Sequence, residues 1–190
     1  DLEWSINIRC AKGCWVWVAM MYGSSYNDGQ HSACLWQRGI AMKNGKPPLD
    51  GIRVLDLGRH QAGPRCAQVL ARLGAEVIKV ERPGYGDDLR NWRVEGISIH
   101  WKVYARNKKS ITLNFSQENG RKLLLELAAT SQILVENFIP GTLEKWNLGP
   151  EALHEANPNL IVVRISGWGQ SGPDKRFPGF GSLVEARTGF

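Results

Sequence analysis

The order of apolar and polar residues predicts strands that alternate with helices from residue 53 onward. Short apolar runs, or apolar residues at period two, predict five strands: "RVLDL" (53–57), "AEVIKVE" (75–81), "SITLNF" (110–115), "QILVEN" (132–137) and "LIVVRIS" (160–166). Helical patterns between them predict helices over 64–73, 117–131, 140–146 and 150–157. Strands separated by helices are typical of a parallel sheet. We therefore expect a Rossmann-like α/β fold, with a mainly parallel, doubly wound sheet and helices on both faces.

The first predicted helix carries a signal at each end. Pro64 suits the first helical position, because the N–H that proline lacks would have no partner there, and Gly74 suits the residue that stops the helix. The resulting strand–helix–strand unit lacks the Gly-x-Gly-x-x-Gly fingerprint of dinucleotide-binding proteins. A dinucleotide-dependent oxidoreductase is therefore disfavoured.

The first 41 residues differ from the rest of the chain. They hold four of the eight Trp and three of the four Cys, and "CWVWVAMMY" (14–22) is the one stretch with the character of an apolar strand. Regular patterning begins only after Met42. We divide the chain into an atypical segment, 1–41, and a domain, 42–190, and hypothesise that the natural protein begins at Met42. A genuine N-terminal extension is the alternative.

Composition favours a small anionic ligand. The formal net charge is +6, with a sequence pI near 9.3, and a positive field concentrates phosphates and carboxylates near the protein. Basic residues cluster only in "RNKK" (106–109), and no nucleic-acid motif is present, so nucleic acid is not the expected partner. No apolar run reaches the roughly 18 residues of a membrane span.

The cysteines do not predict a metal site. Cys10, Cys14 and Cys34 have poor spacing for zinc, with only His31 as a conceivable fourth ligand, and Cys66 lies alone inside a predicted helix. We expect free thiols, no metal and a reducing compartment. The expected location is the cytoplasm, or a mitochondrion or peroxisome in a eukaryote.

Candidate chemistry lies in loops that follow the strands, because doubly wound sheets bind ligands at the carboxyl ends of their strands. These loops are rich in Gly, Pro and short polar residues and cover 59–63, 81–86, 137–141 and 167–172. The amide of Gln61 would project at a helix start, able to donate and to accept hydrogen bonds. Arg82 could bind a phosphate, or form a surface ion pair with a neighbouring carboxylate.

Six segments, in order and spacing, resemble the class III coenzyme A transferases. This group includes formyl-CoA transferase and carnitine CoA-transferase, with α-methylacyl-CoA racemase a near relative. The resemblance extends over 48–190 and leaves 1–41 unexplained. The segments are "PLDGIRVLDL", "QAGPRCAQVLARLGAEVIKVERPGYGDDLR", "NKKSITLNF", "ILVENFIPGTLEKWNLGPEAL", "NPNLIVVRISGWGQSGP" and "GFGSLVEARTGF".

The resemblance implies covalent transfer of CoA from an acyl-CoA to a free carboxylic acid through an aspartyl-CoA intermediate. Gln61 matches the family's glutamine beside the nucleophilic aspartate. Coenzyme A contacts are expected for six further residues, one of which, His60, is expected only as a loop residue near the CoA. These residues are His60, Ala62, Arg82, Leu113, Asn137 and Lys145.

The resemblance implies that the nucleophilic aspartate lies in a Gly-Asp element beyond Phe190, and neither Asp56 nor Asp174 matches its place in the family pattern. Residues 42–190 would then be the first part of a larger domain, inactive alone, in a family whose members form interlocked homodimers. The racemase relatives carry a His-Asp pair where this chain has Phe180 and Gly181, which favours the transferase. A racemase or epimerase and a non-catalytic CoA-binding fragment are the alternatives.

Overall fold

The computed structural model describes residues 46–189 and, by backbone alone, two strands near the N-terminus. Within this part of the chain, seven strands form one sheet in the order β2-β1-β7-β6-β3-β4-β5. The strands are β1 (Glu3–Arg9), β2 (Trp15–Met21), β3 (Arg53–Asp56), β4 (Glu76–Glu81), β5 (Lys108–Thr112), β6 (Ile133–Glu136) and β7 (Ile161–Ile165). The helices are α1 (Ala62–Arg72), α2 (Ile99–Tyr104), α3 (Glu118–Ala129), α4 (Thr142–Lys145), α5 (Pro150–Ala156), α6 (Gly181–Thr188) and a short 3₁₀ helix (Asp88–Arg90).

Five strands, β7-β6-β3-β4-β5, are parallel, whereas β1 pairs antiparallel with β7 and with β2. After β3 the chain proceeds outward through β4 to β5, then crosses back to β6 and β7 on the other side. The order of strands therefore reverses between β3 and β6, and this is the place where a doubly wound sheet binds ligands. The predicted α/β fold is confirmed.

The core lies on both faces of the sheet because successive strand residues point to opposite sides. Leu55 packs with the residues of α3, α4 and α5, including Leu124, Leu143 and Leu153. Its neighbour Val54 belongs to the second cluster, with α1 residues such as Ala67 and Ala71. Helices thus cover both faces, as predicted.

The start predicted for the first helix is wrong by two residues. Helix α1 begins at Ala62, so Pro64 occupies its third position. Proline is tolerated there because all the N–H groups of the first turn lack an intrahelical partner, and the ladder starts with Arg65 N donating to Gln61 O at 2.8 Å. Gly74 has φ +100°, as a helix-stopping glycine requires.

The strand predicted over 110–115 is shifted, since β5 spans Lys108–Thr112. Leu113 and Phe115 lie beyond its end but still pack against the core. Leu113 N also donates to Glu81 O at 2.9 Å, which ties it to the neighbouring strand. Strand β2 confirms the apolar strand predicted within 14–22, whereas β1, α2 and α6 had no prediction.

Cys10, Cys14, Cys34, His31 and Met42, on which earlier predictions rest, lie outside the described residues. No helix in the described part of the chain is long and apolar enough to cross a membrane.

Candidate active site

The loop between β3 and α1 is held by side chains from neighbouring strand ends. Gly58 N donates to Asp56 Oδ1 at 3.0 Å, and Arg59 N donates to Asn137 Oδ1 at 2.7 Å. Asn137 Nδ2 also donates back to Arg59 O at 2.9 Å. Asn137 directly follows β6, so its amide braces the loop across the point where the strand order reverses.

The third successive amide of the loop is also engaged. His60 N donates to Asp87 Oδ1 at 3.3 Å, and the same oxygen accepts a hydrogen bond from Leu89 N at 3.0 Å. Asp87 follows β4 and is buried. Three consecutive N–H groups of the loop are therefore bound by three side chains. One lies in β3 (Asp56), and the other two follow β6 (Asn137) and β4 (Asp87). We call residues 58–61 the site loop.

The site loop needs glycine where it meets helix α1. A Cβ on Gly58 would lie 2.7 Å from Gly63 Cα, and a Cβ on Gly63 would lie 2.7 Å from Gly58 Cα. Such approaches are closer than carbon atoms allow, so neither position accepts a side chain without a backbone shift. This contact turns the chain sharply from β3 into α1.

Gln61 lies at the end of the site loop, immediately before α1. It is exposed, and its side chain makes no capping bond to the helix. The amide has no hydrogen-bond partner within residues 46–189, so its donor and acceptor are both available to a ligand. The prediction that this amide projects at a helix start is confirmed, while its catalytic role stays a prediction.

His60 adopts a left-handed backbone conformation, with φ +59°. Its Nε2 lies 3.2 Å from Asp88 Oδ2, which also accepts a bond of 2.5 Å from Arg59 Nη2. Its Nδ1 is buried without a hydrogen-bond partner among the described residues. The ring centroid lies 5.6 Å from that of Trp92. A left-handed conformation is uncommon outside glycine, and here the bound N–H groups of Arg59 and of His60 itself hold it in place.

A buried group of charges lies directly beneath the site loop. Lys79 Nζ donates to Gly58 O and lies 3.0 Å from Asp87 Oδ2 and 4.0 Å from Asp56 Oδ1. Lys108 Nζ donates to Asp56 Oδ2 at 2.7 Å and to Pro64 O at 2.6 Å. Burial lowers the pKa of Lys108, although the Asp56 carboxylate opposes this. We call Asp56, Lys79, Asp87 and Lys108 the loop cluster.

Glu81, the last residue of β4, supports this cluster from the side. It accepts hydrogen bonds of 2.7 Å from Arg90 Nε and from Arg90 Nη2, a 2.9 Å bond from Asp87 N and another from Ser110 Oγ. Burial alone would raise the pKa of Glu81, but these hydrogen bonds outweigh it and lower that pKa below its ordinary value. The carboxylate is therefore charged at neutral pH.

Arg82 directly follows β4 and is exposed. Its guanidinium lies 5.9 Å from the ring centroid of Tyr85, and it forms no ion pair within residues 46–189. The surface ion pair considered as the alternative does not form in this part of the chain. The adjacent carboxylate of Glu81 is instead bound by Arg90. Arg82 keeps its charge available for an anion.

The remaining predicted contacts are spread along the same edge of the sheet. Ala62 is the exposed first residue of α1, and Leu113 is half-buried just after β5. Lys145 is the exposed last residue of α4. Because β6, β3, β4 and β5 are neighbouring parallel strands, the residues that follow them share one edge. Lys145 lies further along the chain, on the helix after β6.

A second group of charges lies at the ends of β6 and β7, with Glu136 and Arg164 buried and Glu144 exposed on α4. Arg164 Nε donates to Glu136 Oε1 at 2.7 Å, and Arg164 Nη1 donates to Glu144 Oε1 at 2.7 Å. Partial burial alone would raise the pKa of Glu144, but hydrogen bonds from Arg164 outweigh it and lower that pKa below its ordinary value. We call Glu136, Glu144 and Arg164 the helix triad, since it joins the sheet to α4.

Cys66 does not add a reactive thiolate to this region. Burial, followed by the nearby Asp56 carboxylate, raises the pKa of its thiol to about 11. A thiol with so high a pKa is protonated at neutral pH and is a poor nucleophile. No group of three or more His, Cys, Asp or Glu side chains suited to a metal ion occurs in the described residues.

Sequence reasoning found Gln61 and Arg82 as available polar groups but missed the loop cluster beneath them. A charged residue within an apolar strand was the available signal, because Lys79 shares one face of β4 with the buried Val77 and Glu81. A charge at a core-facing position requires a partner. That requirement alone does not say which carboxylate the partner is.

A doubly wound sheet with a braced loop at its switch point defines an α/β protein that binds a ligand at the carboxyl edge. The sequence matches the model of CoA-transferase family III over residues 49–190. It therefore belongs to that family, as the resemblance predicted.

Individual relatives agree with the family assignment. Over 145 residues the chain is 52% identical to succinyl-CoA–D-citramalate CoA-transferase of Chloroflexus aurantiacus, covering 75% of this chain and 36% of that protein. Over 149 residues it is 43% identical to Homo sapiens succinyl-CoA:glutarate CoA-transferase, covering 77% and 33%. A crystal structure of the Mycobacterium tuberculosis protein Rv3272 matches with a TM-score of 0.72 at 43% identity, covering 75% and 40%. The chain spans about a third of the length of these curated relatives.

Proposed function

We propose that this chain is the first part of a CoA-transferase that moves coenzyme A from an acyl-CoA to a free carboxylic acid. The observation that carries the proposal is the free amide of Gln61 on a braced loop, at the switch point of a family III sheet. A polar group that the protein leaves unused at such a place is available for chemistry.

In the proposed mechanism an aspartate attacks the thioester carbonyl and releases the CoA thiolate, giving a mixed anhydride. The thiolate then attacks the aspartyl carbonyl, which frees the donor acid and leaves an aspartyl-CoA thioester. The acceptor carboxylate attacks this thioester, and the released thiolate attacks the acceptor acyl group, so that acyl-CoA and aspartate result. We place this aspartate in the portion of the relatives that the present chain does not span.

Gln61 would lie beside the aspartate throughout this sequence. Its N–H groups can donate to the oxyanion that develops on each attacked carbonyl, and an amide does not compete for protons. The loop bonds to Asp56, Asn137 and Asp87 support this role, because a donor stabilises a transition state only when it is held in place beforehand.

Coenzyme A would bind along the same edge of the sheet. Arg82 and Lys145, both exposed, suit the phosphates, and the net charge of +6 favours such a ligand. His60, Ala62 and Leu113 are proposed to contact the cofactor around the site loop. Asn137 already binds Arg59 with its side chain, so we assign it the shape of the loop as well as a CoA contact.

The relatives suggest the first substrates to test. Two are named for succinyl-CoA as donor, with D-citramalate or glutarate as acceptor. We propose succinyl-CoA as donor, a dicarboxylic acid as acceptor and, for the intact protein, a homodimer. The racemase alternative is disfavoured because Phe180, just before α6, and Gly181, its first residue, carry no group that can transfer a proton.

The test is made on the protein as its gene encodes it. The protein is incubated with succinyl-CoA and a panel of dicarboxylic acids, and product thioesters are identified by mass spectrometry. Gln61→Ala should lower kcat about 100-fold, as expected for loss of one oxyanion donor. Gln117→Ala is the matched control, since Gln117 is also exposed and precedes a helix without capping it.

The control variant should keep kcat within about twofold of wild type, as expected of a surface position. Equal losses in the two variants would remove Gln61 from the mechanism. Exchange of the α-proton of an acyl-CoA without any transfer of CoA would reassign the protein to the racemases.

A further inference from the structure

A buried lysine joins the site loop to the strand beneath it. Lys79 has a side chain that is only 2% exposed, yet it lies in the middle of β4. Its ammonium donates to Gly58 O at the start of the site loop and faces the Asp87 and Asp56 carboxylates at 3.0 and 4.0 Å. Lys108, 2.7 Å from Asp56, is the other cation of this group.

Lys79 is connected to two residues of the site loop. Gly58 is bound directly, and His60 is bound through Asp87, whose other carboxylate oxygen accepts the His60 N–H. Gln61 is the next residue, and its own side chain has no bond within residues 46–189 that would orient it. The backbone of the site loop therefore sets where this side chain begins and the direction of its Cα–Cβ bond.

Stability alone does not explain a lysine at this position. Placing a charge in the interior costs several kcal/mol, and replacing a buried ion pair with apolar residues of similar volume is often neutral or stabilising. The ammonium does what an apolar side chain cannot, because it donates to a loop carbonyl. Since it is buried under the loop, Lys79 is not available to contact a substrate.

We propose that Lys79 is a positioning residue for CoA transfer, acting through Gly58 and Asp87 to direct the amide of Gln61. This inference rests on the function proposed above. It assigns a purpose to a buried charge that holds the site loop from beneath.

The test replaces the lysine without leaving an unbalanced carboxylate. Lys79→Met alone would strand the Asp87 carboxylate, and the protein could fail to fold. In the double variant Lys79→Met/Asp87→Asn, the asparagine oxygen can still accept from His60 and Leu89, while Asp56 keeps Lys108. Lys109→Met is the matched control, because Lys109 lies on the adjacent strand with an exposed ion pair to Glu76.

In the intact protein the double variant should lower kcat about tenfold, with KM for succinyl-CoA within about twofold, since misplacement of a catalytic group lowers the rate of chemistry. In a Gln61→Ala background the same two changes should lower kcat by less than about threefold, because the residue through which they act is gone. Lys109→Met should leave kcat unchanged. Equal fold-losses in both backgrounds, or no loss at all, would overturn the inference.

A readout that needs no activity separates this inference from the proposed function. In hydrogen exchange, the amides of Gly58 and His60 should exchange about tenfold faster in the double variant, while those of α3 stay unchanged. If wild-type protein transfers no CoA, the proposed function fails, and the exchange result alone decides whether Lys79 positions the loop. Unchanged exchange at both amides would refute that positioning.

Discussion

The loop cluster and the helix triad are two groups of charged residues packed on one sheet, and their hydrogen bonds go to different partners. The loop cluster directs most of its bonds to backbone groups, among them Gly58 N, Gly58 O and His60 N. The helix triad bonds mainly between side chains, with Arg164 joining Glu136 on β6 to Glu144 on α4. One group shapes a loop, and the other attaches a helix.

The boundary between the two groups falls between adjacent residues. Glu136, the last residue of β6, belongs to the helix triad, whereas Asn137, the next residue, binds the backbone of Arg59 in the site loop. Successive residues point to opposite sides of a strand end, so one strand serves both groups. Buried charge at a strand end is therefore not itself a mark of a functional site. What sets the loop cluster apart is that its hydrogen bonds go to the backbone of the site loop, which we propose to face the ligand.

The largest effect on stability is expected from Arg164→Met. This change leaves the Glu136 carboxylate, whose side chain is 1% exposed, without its cation. Loss of one partner of a buried ion pair costs about 3 to 5 kcal/mol of the free energy of unfolding. Because the helix triad forms no hydrogen bond or ion pair with the site loop in the described part of the chain, kcat of the folded protein should be unchanged. Urea denaturation and the transfer assay measure the two quantities.

Arg187→Met is the control for that variant. Arg187 pairs with Asp174 at 2.9 Å but is 61% exposed, so its loss should cost less than about 1 kcal/mol. If Arg164→Met also lowered kcat of the folded protein, the two groups would not be separate in function.

A smaller effect, and one that depends on pH, is expected from Glu81→Gln. At neutral pH the loss of charged hydrogen bonds to Arg90 should cost about 2 kcal/mol of the free energy of unfolding. Glu81 has a pKa in the folded protein below its ordinary 4.5. Its charge therefore stabilises the fold above pH 4.5, and this contribution is lost as pH falls from 4.5 through the lower folded pKa.

The gap in stability between wild type and Glu81→Gln should accordingly narrow in acid. Urea denaturation at pH 7 and at about pH 3.5 measures it. A gap of the same size at both pH values would show that Glu81 contributes through packing and not through its charge.

The smallest effect on stability is expected from Asn137→Ala. The Arg59 N–H that loses its acceptor lies near the surface and can bind water, so the cost should be about 0.5 to 1.5 kcal/mol. Hydrogen exchange at the Arg59 amide should nevertheless accelerate, because the brace is gone. Unfolding as severe as in Arg164→Met would place Asn137 with the structural group instead of the site.

The polar and apolar pattern predicted the five parallel strands and the helices that cover them, because each face of such a sheet is buried and leaves a periodic signal. It placed Pro64 two residues too early in its helix, since a proline fits anywhere in the first turn. It also missed α2 and α6. The six residues of α2 include none that is buried, and α6 buries only Val184.

The site was predicted in part. Gln61 and Arg82 are exposed polar residues just past strand ends, and topology alone brings such residues to one edge. Asn137 was predicted as a ligand contact, but its side chain bonds show a brace for the loop. The partners of Lys79 could not be predicted from local pattern. Asp56, 23 positions away along the chain, meets it through the pairing of β3 with β4, and Asp87, 8 positions away, meets it through the turn that follows β4.

By itself, the sequence determined the alternation of strands and helices, the position of the loops that we propose to bind a ligand, and the family to which the chain belongs, since these depend on local pattern and on the order of segments. The tertiary structure decided which buried charges hold the site loop and which hold a helix. That division depends on the register of neighbouring strands and on a contact between Gly58 and Gly63, neither of which leaves a periodic trace in the chain. Residues far apart in sequence become partners only when the sheet is assembled.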